Sequence, residues 1–82
     1  MRLDKFLKVS RIIKRRTVAN DACDSAKVFV NDNPAKPAKQ LKEGDIITIE
    51  YKVKTFRAKV LKIPQGNVSI NEASSLYEII ED

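Results

Sequence analysis

The chain has no histidine and a single cysteine among its 82 residues. Without histidine it lacks the commonest general base at neutral pH and the commonest metal ligand. Cys23 alone closes no internal disulfide and offers no thiolate metal site, and it fits a reducing compartment. Its neighbours make it a small core residue rather than a nucleophile. With only two glycines, Gly44 and Gly66, no phosphate-cradling glycine loop is present. The acids are mostly isolated, so no pair is placed for acid and base roles. No apolar run is long enough for a membrane span or a signal peptide. A basic amphipathic helix on an anionic membrane is disfavoured, because such helices carry a wide bulky apolar face with no folded domain behind it. These absences lead us to expect a cytoplasmic protein that is not an enzyme, with no cofactor, no metal and no membrane partner.

What is present is charge, unevenly placed. Residues 1–16 hold seven basic side chains against Asp4, a net +6, in a chain whose total is +5. Residues 17–63 hold nine basic and six acidic side chains, and residues 64–82 hold four acids with no Lys or Arg. One basic end and one acidic end make an oriented field that draws a polyanion to the first and turns the second away. Hydrophobic content of 43% and charge of 33% fit a folded domain, and the length allows one.

Leu3, Phe6, Leu7, Ser10 and Ile13 recur at helical spacing, so residues 3 to about 10 read as a helix with an inward apolar face. Residues 11–15 read as a bend. A second helix is expected from about Arg16 to Ser25, with Val18, Ala19, Ala22, Cys23 and Ala26 on its inner side. Lys27 to Asn31 alternates as a short strand, and Asn31-Asp32-Asn33-Pro34 is turn chemistry. A loop follows, with at most one short edge strand. Glu43-Gly44-Asp45 turns into a strand over Ile46 to Tyr51. Residues 52–63 read as another strand, Pro64 to Asn67 as a turn and Val68 to Ile70 as a short strand. Asn71 is expected to cap a brief helical turn over Glu72 to Leu76, and Tyr77 to Ile80 to close the sheet. Helices precede strands, so the class is α+β with a mostly antiparallel sheet.

The basic segment is the one positive functional signal. The plain alternative is a solvated helical face. Against it stand the concentration of charge at one end, the consecutive Lys14-Arg15-Arg16 at the bend, and the number of arginines (Arg2, Arg11, Arg15, Arg16), whose planar fork suits bidentate phosphate contact. Phosphate-directed nucleic-acid binding follows. Exposed aromatics are scarce in this segment, with Phe6 on the inward face. That favours reading the shape and backbone of folded RNA or a duplex over stacking single-stranded bases.

Arg2-Leu3-Asp4-Lys5-Phe6-Leu7, then Ser10-Arg11, Lys14, Arg16 and Ala19, then Val28, Val30-Asn31, Lys36-Pro37, and Gly44-Asp45 with Ile47 and Ile49, fall in order at characteristic distances. Over residues 1 to about 51 the chain thereby resembles the alpha-L RNA-binding domain, named after the fourth protein of the small ribosomal subunit. That resemblance implies a helix pair packed on a small sheet, with residues 1–51 as the RNA-binding core and 52–82 as a strand and tail extension of the same domain. Carried over residue by residue, it implies phosphate contacts from Arg2, Lys5, Arg11, Lys14, Arg15 and Arg16, with Lys36 a weaker candidate. Glu72-Ala73 followed by Leu76-Tyr77-Glu78 resembles the tail of the fifteen-kilodalton ribosome-associated heat-shock proteins. The opening RLDKFLKVSRIIKRRTVA resembles still more the RqcP family, their short relatives in bacteria such as the bacilli.

The resemblance implies a non-catalytic, monomeric clamp on the free large ribosomal subunit. It would contact 23S-type rRNA and peptidyl-tRNA together, beside RqcH, which adds alanine tails to stalled chains. Two other readings are carried: a general structured-RNA-binding or ribosome-assembly protein, and a protein-interaction module whose acidic tail docks a basic partner. Three departures from the family pattern stand out. Ala26 replaces a common glycine after the second helix, Asn31-Asp32 replaces an Asn-Gly turn, and Arg15 replaces a frequent Ser or Thr cap.

Overall fold

The computed structural model describes residues 1–13, 19, 21–23, 25, 27–51, 55–66 and 68–80. Helix α1 spans Leu3–Val9, and residues 19 and 21–23 are helical. Five strands follow: β1 (Val28–Val30), β2 (Asn33–Pro34), β3 (Ile46–Glu50), β4 (Thr55–Val60) and β5 (Tyr77–Ile79). They form one sheet in the order β2-β1-β3-β4-β5, and every pairing in it is antiparallel. The α+β class expected from the order of elements is the class observed.

The helical spacing of Leu3, Phe6 and Leu7 works as its period demands: all three are fully buried. They meet Ala19 and Cys23 on one side and the inward row of the sheet on the other, where Val28, Val30, Ile47, Ile49 and Val60 contribute. Small side chains at 19 and 23 let the helical segment approach closely. Ala22 and Ile13 are half-buried at the margin of this core. Val18 and Ala26, expected on the same inner face, lie outside the described residues, as does the second helix boundary at Ala26.

The β1–β2 connection is a two-residue hairpin. Asn31 (φ 52°) and Asp32 (φ 68°) both take left-handed backbone, which the mirror-image hairpin turn requires at its two central positions. Asn31 is also a lock. Its side-chain Nδ2 donates to Asp45 Oδ1 at 3.1 Å, and its side-chain Oδ1 accepts from the Ile46 N–H at 2.9 Å. Asp45, itself buried, accepts from the Lys42 N–H at 3.1 Å through its other oxygen. The hairpin tip is thereby tied to the turn at Gly44, whose φ of 92° is glycine territory. β2 is an edge strand, where a proline such as Pro34 is tolerated because one side of the strand has no ladder to complete.

Two expectations for the C-terminal part are corrected. No strand forms over Val68 to Ile70; instead helix α2 spans Ile70–Ala73 and a 3-10 turn continues over Ser74–Leu76. The cap is Ser69 rather than Asn71: Ser69 Oγ accepts from the Glu72 N–H at 3.3 Å. Ser69 and Glu72 stand at the spacing of a helix-start pair, and Ile70 at 67% exposure has no core to enter as a strand residue. Helical turns then bury Ala73 and Leu76 and deliver the chain to β5 alongside β4, as anticipated for Tyr77 onward.

Candidate nucleic-acid interface

The candidate surface begins at the first turn of α1. A helix leaves its first N–H groups without intrahelical partners, and Arg2, the N-cap, accepts none of them with its side chain. The loop after the hairpin fills the gap with backbone carbonyls. The Leu3 N–H donates to Lys39 C=O at 2.8 Å and the Asp4 N–H to Pro37 C=O at 3.2 Å, while the Leu41 N–H donates to Met1 C=O at 2.9 Å. Arg2 and Gln40 form an antiparallel bridge. The segment carrying Lys36 and Lys39 is thus stapled to the start of α1, and both lysines are exposed.

Asp4, the one acid among the first sixteen residues, is 1% exposed. Its Oδ1 lies 3.3 Å from Arg2 Nε and accepts the Lys5 N–H at 2.8 Å. Arg2 Nη2 donates to Oδ2 at 3.3 Å. This two-point fork fixes the guanidinium plane, while the Arg2 side chain stays 45% exposed. Arg2 and Lys5 then line one open cleft of about 590 Å³, with Gln40 and the segment Ile63 to Gly66 on its other walls.

Lys5, Lys8 and Arg11 are exposed; Lys5 and Lys8, three apart within α1, are neighbours on the helix surface, with Arg2 at its start. Arg11 stands two residues past the end of α1. It ends the helix in left-handed backbone, φ 62°. For a residue with a Cβ that conformation costs on the order of 1 kcal/mol. It turns the chain into the bend, where the Ile13 N–H returns to Leu7 C=O at 3.0 Å.

The structure therefore gathers Arg2 and Lys5 in one cleft, pins the Lys36 backbone segment beside them, and puts Arg11 at the far end of α1. Lys14, Arg15 and Arg16 lie outside the described residues. Sequence reasoning passed over Lys39, whose carbonyl caps α1, and Lys8, which belongs to the same basic ridge. It also passed over Tyr51, which is exposed and lines a cavity with Ile12 and Ile13 at the bend. Lys8 was legible from its spacing. Lys39 and Tyr51 depend on contacts far apart in the chain. Among the described residues, no helix is long and apolar enough to cross a membrane.

Comparison with known proteins agrees with this geometry. The family model described as S4 domain matches residues 1–47. The chain is 46% identical over 79 residues to the RQC P-site tRNA stabilizing factor of Halalkalibacterium halodurans, covering 96% of this chain and 89% of that protein. It is 42% identical over 82 residues to the protein of the same name from Listeria monocytogenes, covering 100% of this chain and 88% of the relative. The solved structure of Vibrio cholerae Heat Shock Protein 15, a trimer, superposes with a TM-score of 0.86 at 31% identity, over 98% of this chain and 81% of that one. An anchored N-terminal helix, a sheet of matching shape and relatives aligned along nearly their whole length converge on one assignment: the chain belongs to the S4-domain family, in the branch that holds the RQC P-site tRNA stabilizing factors.

Proposed function

We infer that the protein is a non-catalytic, cytoplasmic RNA-binding factor of ribosome quality control. It holds peptidyl-tRNA on the large ribosomal subunit by touching 23S-type rRNA and tRNA at once, and it supports alanine tailing of the stalled chain by RqcH. The observation that carries this reading is the clamped Arg2. Its guanidinium is forked onto buried Asp4 yet remains exposed beside Lys5, an arrangement that fixes a cation in place before any phosphate arrives. The names borne by the full-length relatives support the ribosomal setting.

In this reading Arg2, Lys5, Arg11, Lys14, Arg15 and Arg16 contact phosphates, and Lys36 helps from its stapled loop. Residues 1–51 form the RNA-binding core, and 52–82 extend the sheet. The protein acts as a monomer.

The test is co-sedimentation with purified large subunits, with and without bound peptidyl-tRNA. Wild type is expected to prefer the tRNA-loaded subunit, and an Arg2→Ala, Arg16→Ala variant to lose that preference. Equal binding to loaded, empty and whole ribosomes would leave a general RNA-binding protein in place of a rescue factor.

A further inference from the structure

A second cavity, of about 330 Å³, opens where the bend after α1 meets the end of β3. Ile12, Ile13, Ala22, Ile49 and Tyr51 line it. Its origin is the alternation of β3. Ile47 and Ile49 face the core and are 0% and 2% exposed, and Tyr51 follows at the same parity beyond the end of the strand, where it is 45% exposed. The opposite wall is held by the bonds that shape the bend: Ile13 N–H to Leu7 C=O at 3.0 Å and Ile12 N–H to Ser10 Oγ at 3.5 Å. Lys27 and Glu50 complete the lining, and the Glu50 N–H donates to Lys27 C=O at 2.9 Å, which carries the β1–β3 ladder to the cavity.

The cavity falls in the size range of small-molecule sites, roughly 300–1,000 Å³. Charge decides what it suits. Ile13 runs directly into Lys14-Arg15-Arg16, and Tyr51 into Lys52-Val53-Lys54, so both wall-forming segments are followed in the chain by cations. Arg11 precedes Ile12 and is exposed. An apolar slot with an aromatic side, flanked by exposed Arg11 and with both wall segments continuing in the sequence into basic residues, complements a ligand that is flat and apolar in one part and polyanionic in the next. Unstacked nucleic acid has that chemistry.

Resting on the RNA-binding reading above, we propose that this cavity takes one unpaired nucleobase of RNA, stacked on Tyr51 against the wall of Ile12 and Ile13. The protein then reads more than phosphate position. It favours structured RNA that offers a bulged or looped-out nucleotide next to a duplex.

The experiment uses two RNA hairpins that differ only by one bulged 2-aminopurine nucleotide. Wild type is expected to bind the bulged hairpin about tenfold more tightly, the scale of one base–aromatic stack, and to change the 2-aminopurine fluorescence. Tyr51→Ala brings the two hairpins to equal affinity, while the slope of affinity against salt stays that of wild type, because no phosphate contact is removed. Tyr51→Phe keeps the preference. Ala22→Leu, which fills the cavity without touching Tyr51, also abolishes it. Equal binding of the two hairpins by wild type overturns the proposal and leaves RNA binding intact. So does an undiminished preference in Tyr51→Ala and Ala22→Leu, which would place the reading of the bulge outside this cavity. Binding of neither hairpin by wild type overturns the RNA-binding reading and this one with it.

Discussion

Buried Asp4 holds exposed Arg2 by two contacts of 3.3 Å each, Nε to Oδ1 and Nη2 to Oδ2. A carboxylate in the middle of a basic segment looks like a defect for anion binding. Here it orients the cation. Asp4→Asn keeps the shape and removes the charge that aims Arg2. We expect a loss of about 1–2 kcal/mol in stability and weaker RNA binding, although the variant is more positive than wild type. Urea unfolding and RNA titration check the two together. Tighter RNA binding by Asp4→Asn would mean that net charge, and not orientation, controls affinity.

Arg11 offers a separation of stability from function. Arg11→Gly relieves the left-handed backbone at φ 62° and pays back part of that gain in unfolded-chain entropy, for a net stabilisation of about 0.5 kcal/mol. RNA affinity should fall all the same, because a cation is lost. Thermal melts and RNA titrations on one preparation test both signs. A variant that is more stable and binds RNA as well as wild type would take Arg11 out of the interface.

The salt dependence of RNA binding is expected to be steep. Each phosphate contact on a duplex contributes roughly 0.9 to the slope of log K against log salt. Lys5→Ala should reduce the slope by about that amount, and Glu78→Gln, on β5 in the acidic part of the chain, should leave it unchanged. A flat response in wild type would argue against phosphate-directed binding altogether.

The hairpin tip makes opposite predictions for adjacent residues. Asp32→Gly suits the left-handed φ of 68° and should stabilise by about 0.5 kcal/mol. Asn31→Gly suits its backbone equally well but removes the bonds to Asp45 and to the Ile46 N–H, and should destabilise by about 1–2 kcal/mol. Equal effects at the two positions would show that backbone conformation alone sets the stability of this turn.

Phe6 is the largest of the fully buried side chains. Phe6→Ala should cost about 3–5 kcal/mol, enough to leave a domain of this size partly unfolded at 25 °C. Loss of dispersion in the amide proton spectrum is the readout. A folded, well-dispersed variant would place the stability of α1 elsewhere.

How much of this was legible follows the range of the interactions. Leu3, Phe6 and Leu7 announce α1 through local periodicity, and Ile46 to Glu50 announces β3 by alternation. The hairpin at Asn31-Asp32 is written in residue types that tolerate positive φ. The C-terminal part was harder. Val68 to Ile70 reads as a strand on composition, yet Ser69 and Glu72 start a helix there, because a capping bond three residues away outweighs β propensity when no sheet edge is within reach. At the candidate site, the charge of Arg2 and Lys5 was visible, but the fork from Asp4 needed the fold to bury that carboxylate. The carbonyls of Pro37 and Lys39 carry no signal at all in residue type, since any residue has a carbonyl. Tyr51 was hidden because its partners, Ile12 and Ile13, stand nearly forty positions earlier in the chain.

The staple between α1 and the Pro37 to Leu41 segment has a consequence for synthesis. The first turn of α1 leaves the ribosome early, but the acceptors for the Leu3 and Asp4 N–H groups, Lys39 C=O and Pro37 C=O, are made more than thirty residues later. Until then a helix of seven residues is too short to persist in water. The nascent chain therefore carries its cations on an unformed segment. Arg2 acquires its fixed orientation only after the hairpin and the following loop have emerged, so the protein gains its rigid basic face late in its own translation, as a by-product of closing a long-range contact.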